Sequence, residues 1–299
     1  MAKDVILIPS YLRPEYLQIC LEHLARTTST PTPKEFWVCA DQRADDEYRY
    51  KILLDWQNDV LGAWRGTLPI RFINGAKHQF SGNSFNVLES YKKAYREPGV
   101  RNVYLVEDDV FVTPDFFRWH EMVADVEPNA MCSVAYRCSR NGEAKKDITD
   151  PGGYFTTAKD YASIGVRWSH DALAPVLEHA REEYYVDQTG YIQRIFAGNR
   201  FAGDFAEQDG LIMRVMWNTR GFTAWPYVPR AFHMGWYGYH RPNGKRPDGF
   251  LEAKIDAIKA IISNPAKLKI AAPDFGDIEV YPTEPMSPYE GLTKLQHFD

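Results

Sequence analysis

Three consecutive carboxylates, Glu107-Asp108-Asp109, stand directly after the apolar run Tyr104-Leu105-Val106 and before Val110-Phe111-Val112. Acids this close repel one another and raise each other's pKa unless a cation or hydrogen-bond donors offset the charge. A divalent cation does so, and Mg2+ or Mn2+ favours one or two carboxylates completed by phosphate oxygens. The triplet therefore reads as a site for a metal and a diphosphate. The plainer alternative is an acidic loop at a helix start.

Those carboxylates need a scaffold, and the flanking sequence describes one. Residues 5–9 form a continuous apolar run, the pattern of a strand buried on both faces. A helix is predicted over 14–26, with Leu17, Leu21 and Leu24 on one face. Strands follow at 36–40, 70–74 and 103–106, separated by helical stretches at 45–63 and 83–95. Thr113-Pro114-Asp115 reads as a helix opening, with Thr as N-cap, Pro at the first helical position and Asp favourable to the dipole. Later strands are predicted at 131–136 and 223–228, and helices at 169–184 (capped by Ser169), 207–219 and 249–263. The Pro-rich end of the chain is expected to be irregular. Such alternation predicts an α/β fold with a mostly parallel central sheet and helices on both faces. Ligands of these sheets bind at the carboxyl ends of the strands, where Ser10, Asp41 and the triplet fall.

Composition narrows the class. In 299 residues, 44% are hydrophobic and 25% charged, which excludes a disordered or fibrous chain. The net charge of −5 argues against a surface that is basic throughout, as a nucleic-acid sleeve would be. Cys20, Cys39, Cys132 and Cys138 show no metal-type spacing and read as reduced thiols. Without a signal peptide or a long apolar run, the expectation is a cytoplasmic protein with no membrane anchor. Aromatic residues reach 14%, enough to supply stacking surfaces for sugars or bases; Trp236, Tyr237 and Tyr239 are one such cluster, although dense aromatics also simply pack.

Val106-Glu107-Asp108-Asp109, followed by Val112-Thr113-Pro114-Asp115-Phe116-Phe117, closely resembles the metal-binding segment of the N-acetylglucosaminyltransferase I family, glycosyltransferase family 13. The turn Ile8-Pro9-Ser10-Tyr11-Leu12-Arg13-Pro14 and the strand Val38-Cys39-Ala40-Asp41 are similar, more loosely, to its nucleotide-binding segments. The resemblance implies a GT-A (Rossmann-like) fold, with residues 1–120 as the nucleotide-sugar-binding half. Residues 121–247 would be the acceptor-binding and catalytic half, and 248–299 a terminal helix and tail. It implies Asp109 as the direct ligand of Mn2+ or Mg2+, with Asp108 or Glu107 on the ribose or a metal-bound water. Pro9, Ser10 and Arg13 would lie by the nucleotide and Asp41 by its base. The donor would be a nucleotide diphosphate sugar, most simply a UDP-sugar.

GT-A enzymes carry an acid at a helix opening that matches Glu207-Gln208-Asp209 here, and inverting members use it as general base. Asp209 is preferred for that role over Glu207, although both also suit a helix N-terminus. The wider superfamily often adds a histidine to the metal, which would be His233, with His240 as the alternative. Basic loops at 137–146 and 241–246 would border the acceptor and suit an anionic one. Expected acceptors are a glycan, a small molecule or a hydroxylated base in DNA. A nucleotidyltransferase would share the sheet, but its Gly-rich phosphate loop has no counterpart in Pro9-Ser10-Tyr11-Leu12-Arg13-Pro14. A carbohydrate-binding protein on the same scaffold would not need the acids.

Overall fold

The first strand, β1 (Lys3–Ser10), is apolar on both sides because helices cover both sides. Val5 and Leu7 join one core, which holds Val87, Leu88 and Tyr91 together with Leu211, Ile212 and Val215. Ile6 and Ile8 join another, with Leu17, Leu21, Leu24, Phe116, Phe117 and Trp119. The leucine stripe at 17, 21 and 24 is buried as its spacing predicts, each side chain contributing about 1.5–3 kcal/mol.

This is a computed structural model, and it describes residues 2–11, 14–27, 30–44, 68–80, 82–136, 153–157, 160–199, 205–226 and 229–233, with further strands at 268–272, 276–280 and 293–298. After β1 come α1 (Pro14–Leu24), β2 (Lys34–Ala40), β3 (Ile70–Asn74), α2 (Ser84–Arg96), β4 (Val100–Leu105), β5 (Val110–Val112) and α3 (Phe116–Val126). Then follow β6 (Cys132–Val134), β7 (Gly153–Thr157), β8 (Val166–Ser169), α4 (Ala174–Leu177), α5 (Glu182–Val186), α6 (Gln188–Ile195) and α7 (Gln208–Thr219). The last strands are β9 (Thr223–Pro226), β10 (Ala231–His233), β11 (Leu268–Ala272), β12 (Gly276–Val280) and β13 (Thr293–Phe298).

The main sheet runs β13-β7-β9-β6-β8-β4-β1-β2-β3. Strands β1, β2, β3, β4, β6 and β9 point one way, while β8, β7 and β13 oppose them. The fold is therefore α/β with a mostly parallel central sheet, as the alternation of elements predicts. A separate antiparallel pair, β5 with β10, sets His233 opposite Val110.

Four expectations need correction or fall elsewhere. The helix after the triplet starts at Phe116 with Asp115 at its N-cap, because Thr113 spends its hydroxyl on Asp115 at 2.6 Å. The segment predicted as one helix over 169–184 is broken: Ser169 ends β8, a 3-10 turn and α4 follow, and α5 begins after the extended Arg181. The end of the chain carries β11, β12 and β13, the last pairing parallel with β7, so it is not wholly irregular. The helices at 45–63 and 249–263, both basic loops, Arg13, Cys138, His240, Trp236, Tyr237 and Tyr239 lie outside the described residues. Cys20, Cys39 and Cys132 are buried free thiols. Among the described residues no helix is long and apolar enough to cross a membrane.

Candidate active site

Strand β4 ends in a tight turn, closed by the Val110 N–H donating to the Glu107 carbonyl at 2.9 Å, and the three acids occupy that turn. Each is held by a different element. Glu107 accepts from Asn83 Nδ2 at 3.4 Å, just ahead of α2. Asp108 is buried against the end of β1: Ser10 Oγ donates to Oδ2 at 3.0 Å and the Tyr11 N–H at 3.3 Å. Its own N–H donates to the Pro9 carbonyl at 3.2 Å. Asp109 faces His233 from β10, with Nε2 3.2 Å from Oδ2. The triplet's field reaches α1, where burial pushes the Cys20 thiol well up and the charges of Asp108 and Asp109 push it further.

Two helix openings meet beside this turn. The Ser84 hydroxyl, first in α2, donates to Gln208 Oε1 at 2.8 Å and accepts from the Gln208 N–H at 3.1 Å. Gly82 enters α2 with φ 71, a backbone state that glycine adopts without strain. At α7, a Cβ on Gly210 would stand 2.0 Å from the Phe205 carbonyl oxygen, so only glycine fits. Arg214 closes the opening by donating to that carbonyl at 2.8 Å. Of the rival acids, Glu207 is exposed at the N-cap of α7. Asp209 turns inward to Ser163, whose hydroxyl donates to Oδ1 and whose N–H donates to Oδ2 at 3.4 Å. Burial pushes the Asp209 carboxyl up from 3.8 to about 6; the Ser163 donors resist this and the charge of Glu207 adds to it.

Asp41 directly follows β2 beside the end of β1, its N–H donating to the Ser10 carbonyl at 3.0 Å. Its carboxylate is bound by His78, Nε2 to Oδ1 at 2.5 Å. Ser10, Asp41, the triplet, Asp209 and His233 thus share the carboxyl edge of the sheet. Sequence reasoning missed Asn83, Ser163 and His78. Only Asn83 left a trace, as a polar residue after a glycine at a helix start.

Among the described residues no three His, Cys, Asp or Glu side chains converge on one point. A metal would have Asp109 and His233 as its protein ligands. The pair, a carboxylate oxygen and an imidazole nitrogen 3.2 Å apart, is a donor set of the kind a divalent cation could take.

The architecture places the chain among α/β proteins with a mostly parallel sheet. Compared with known proteins, it matches no family model and no curated protein. Among solved structures, S. aureus TarS residues 1–349 in complex with UDP-GlcNAc has a TM-score of 0.49 at 12% identity, over 88% of this chain and 67% of that one. A second structure of TarS 1–349 gives 0.41 at 15% identity, over 57% and 48%. The mannosyltransferase PcManGT from Pyrobaculum calidifontis, in complex with GDP-Man and Mn2+, gives 0.41 at 11%, over 57% and 46%. The chain spans about half to two thirds of the length of these structures.

Proposed function

We propose that the chain is a metal-dependent, inverting glycosyltransferase that moves a sugar from a nucleotide diphosphate sugar, UDP-linked by its family resemblance, to an acceptor hydroxyl. The observation that carries this reading is the meeting of Asp109 and His233 at 3.2 Å, next to an Asp108 pinned by β1. That pair would hold Mn2+ or Mg2+, the shell being completed by diphosphate oxygens and water. When bound, such an ion supplies positive charge against the departing diphosphate.

The remaining steps belong to the protein's own groups. Ser10 and the Tyr11 amide fix Asp108 for the ribose or for a water beside it, and Asn83 fixes Glu107. Asp209 removes the proton of the acceptor hydroxyl as its oxygen attacks the anomeric carbon. A pKa of about 6 suits that task, since the group is ionised at neutral pH yet still basic enough to take a proton. Inversion and kinship with the N-acetylglucosaminyltransferase I family rest on the resemblance of 106–117. The acceptor class stays a glycan, a small molecule or a hydroxylated DNA base.

A thermal-shift screen against nucleotide diphosphate sugars, each with Mn2+ and with chelator, tests the reading. A ligand at a hundredfold excess over Kd adds about 2.7 kcal/mol of stability, a clear rise in Tm. Metal-dependent stabilisation by one sugar nucleotide is expected; stabilisation by none sinks the proposal. With donor and acceptor known, Asp209→Asn should keep donor binding and lower kcat by about 10²–10⁴-fold. If Glu207→Gln does this instead, the base is Glu207.

A further inference from the structure

Gly165 stands at the entry to β8, buried and with φ 63, in the left-handed region. A Cβ at this position would stand 2.5 Å from the Cβ of Ala231, 3.1 Å from Phe116 Cε2 and 3.4 Å from the Cβ of Ala135. Carbons in ordinary contact are about 3.5–4.0 Å apart, so the first of these would need about 1 Å of retreat. Alanine has no side chain to turn aside, and the retreat falls on backbone. Gly165 is thus the point where the turn ahead of β8 closes on β10, the strand that carries His233.

The two sides of this contact differ in how firmly they are held. Two residues before Gly165, Ser163 grips Asp209 through its hydroxyl and its N–H. The Gly165 carbonyl accepts from the Ala135 N–H at 2.8 Å, and from Val166 onward the chain is paired on both sides, with β4 and with β6. Strand β10 is three residues long and pairs with β5. Its start is held by the Arg230 and Ala231 N–H groups, which both donate to the Ala135 carbonyl, at 2.7 and 3.1 Å. Crowding at Ala231 should therefore tip β10 about that anchor, and the far end of the strand is His233. Asp109 would not follow, because Asp108 beside it is tied to Ser10 and Tyr11 at the end of β1.

We propose that Gly165 is a positioning residue for the Asp109–His233 pair; this rests on the glycosyltransferase reading above. Its missing side chain lets β10 lie close against the turn ahead of β8, and so brings the His233 imidazole within reach of the ion that Asp109 would hold.

Calorimetric titration of the full chain with UDP and with GDP, each with Mn2+ and with chelator, tests this. In Gly165→Ala the Mn2+-dependent gain in affinity should fall by about 10–100-fold, the range for changes behind a metal ligand, while binding with chelator stays as in the wild type. Gly165→Ala also puts alanine in the left-handed region, which lowers stability whatever the contact does. The double variant Gly165→Ala/Ala231→Gly keeps that strain and removes the Cβ–Cβ contact. It should recover most of the Mn2+-dependent gain while its urea midpoint stays below that of the wild type, a separation that a general loosening of the fold would not give. Should Gly165→Ala fail to fold, Ala231→Val crowds the same contact from the strand side without the backbone strain, and should show the same loss. A folded Gly165→Ala or Ala231→Val protein with the wild-type Mn2+ gain, or a double variant as weak as Gly165→Ala, would overturn the proposal. A wild type that gains nothing from Mn2+ with either nucleotide fails on the glycosyltransferase reading itself.

Discussion

Strands β5 and β10 form one short antiparallel pair, and its two ends carry opposite designs. At one end Asp115, just after β5, accepts from Arg230 Nε at 3.4 Å and from Thr113 Oγ1 at 2.6 Å, with both charged groups buried. Arginine stays protonated, so this end is a permanent clamp. It is reinforced by the Arg230 carbonyl accepting from the Thr113 N–H and by the Arg230 N–H donating to the Ala135 carbonyl. At the other end Asp109, just before β5, meets His233 at 3.2 Å. An imidazole can offer a lone pair where a guanidinium cannot, so in the proposed reading this end would exchange its hydrogen bond for a metal. The clamp gives the second pair its geometry: with Arg230 anchored, three residues of strand deliver His233 to Asp109.

The largest effect should come from breaking the clamp. Asp115→Ala leaves a buried guanidinium without its carboxylate, and unfolding in urea should show a loss of about 3–5 kcal/mol. Asp109→Asn removes a charge from a crowded triplet and should change stability by less than about 1 kcal/mol. A cheap Asp115→Ala, or an Asp109→Asn as costly as the clamp variant, would erase the distinction between the two ends.

The second effect is on binding. Asp109→Asn and His233→Gln should each weaken Mn2+-dependent donor binding by about tenfold or more, and leave binding with chelator unchanged. Calorimetry with and without Mn2+ gives both numbers. If His233→Gln binds donor as the wild type does, the pair is a hydrogen bond and no metal site.

How much of this could be read beforehand follows from the range of the contacts. The triplet was legible because three adjacent acids after an apolar run are costly wherever they fall, and β1, β2 and β4 were legible because their buried stretches leave apolar runs. His233 could be picked out as a candidate by its type and by resemblance. Its position opposite Val110 depends on a strand pairing that local pattern does not encode. The partners His78 for Asp41 and Ser163 for Asp209 were invisible for the same reason, and Asn83 could be seen only as a polar helix opening and not as the partner of Glu107, each coming from a distant element brought to the carboxyl edge by topology. The break in 169–184 escaped because Arg181 takes an extended backbone that its neighbours' helix propensity does not announce.

The smallest effect separates the base from its rival. A general base acts when deprotonated, so kcat should climb as pH rises through about 6 and level off above it, following the raised Asp209 carboxyl. The hydroxyl and N–H of Ser163 both donate to that carboxylate and favour its charged form. Ser163→Ala removes the hydroxyl, so the carboxyl should rise further and the acid limb should move to higher pH, by about one unit or less. Plateau rates should stay close to wild type, because the base remains in place and only its protonation has changed. The alkaline side of the profile should not move, since the side-chain hydrogen bond of Ser163 goes to Asp209. Glu207 stands exposed at the N-cap, away from the Ser163 donors, so if it were the base the limb would stay where the wild type has it. A pH–kcat profile of Ser163→Ala thus reads which carboxylate carries the proton, without removing either one.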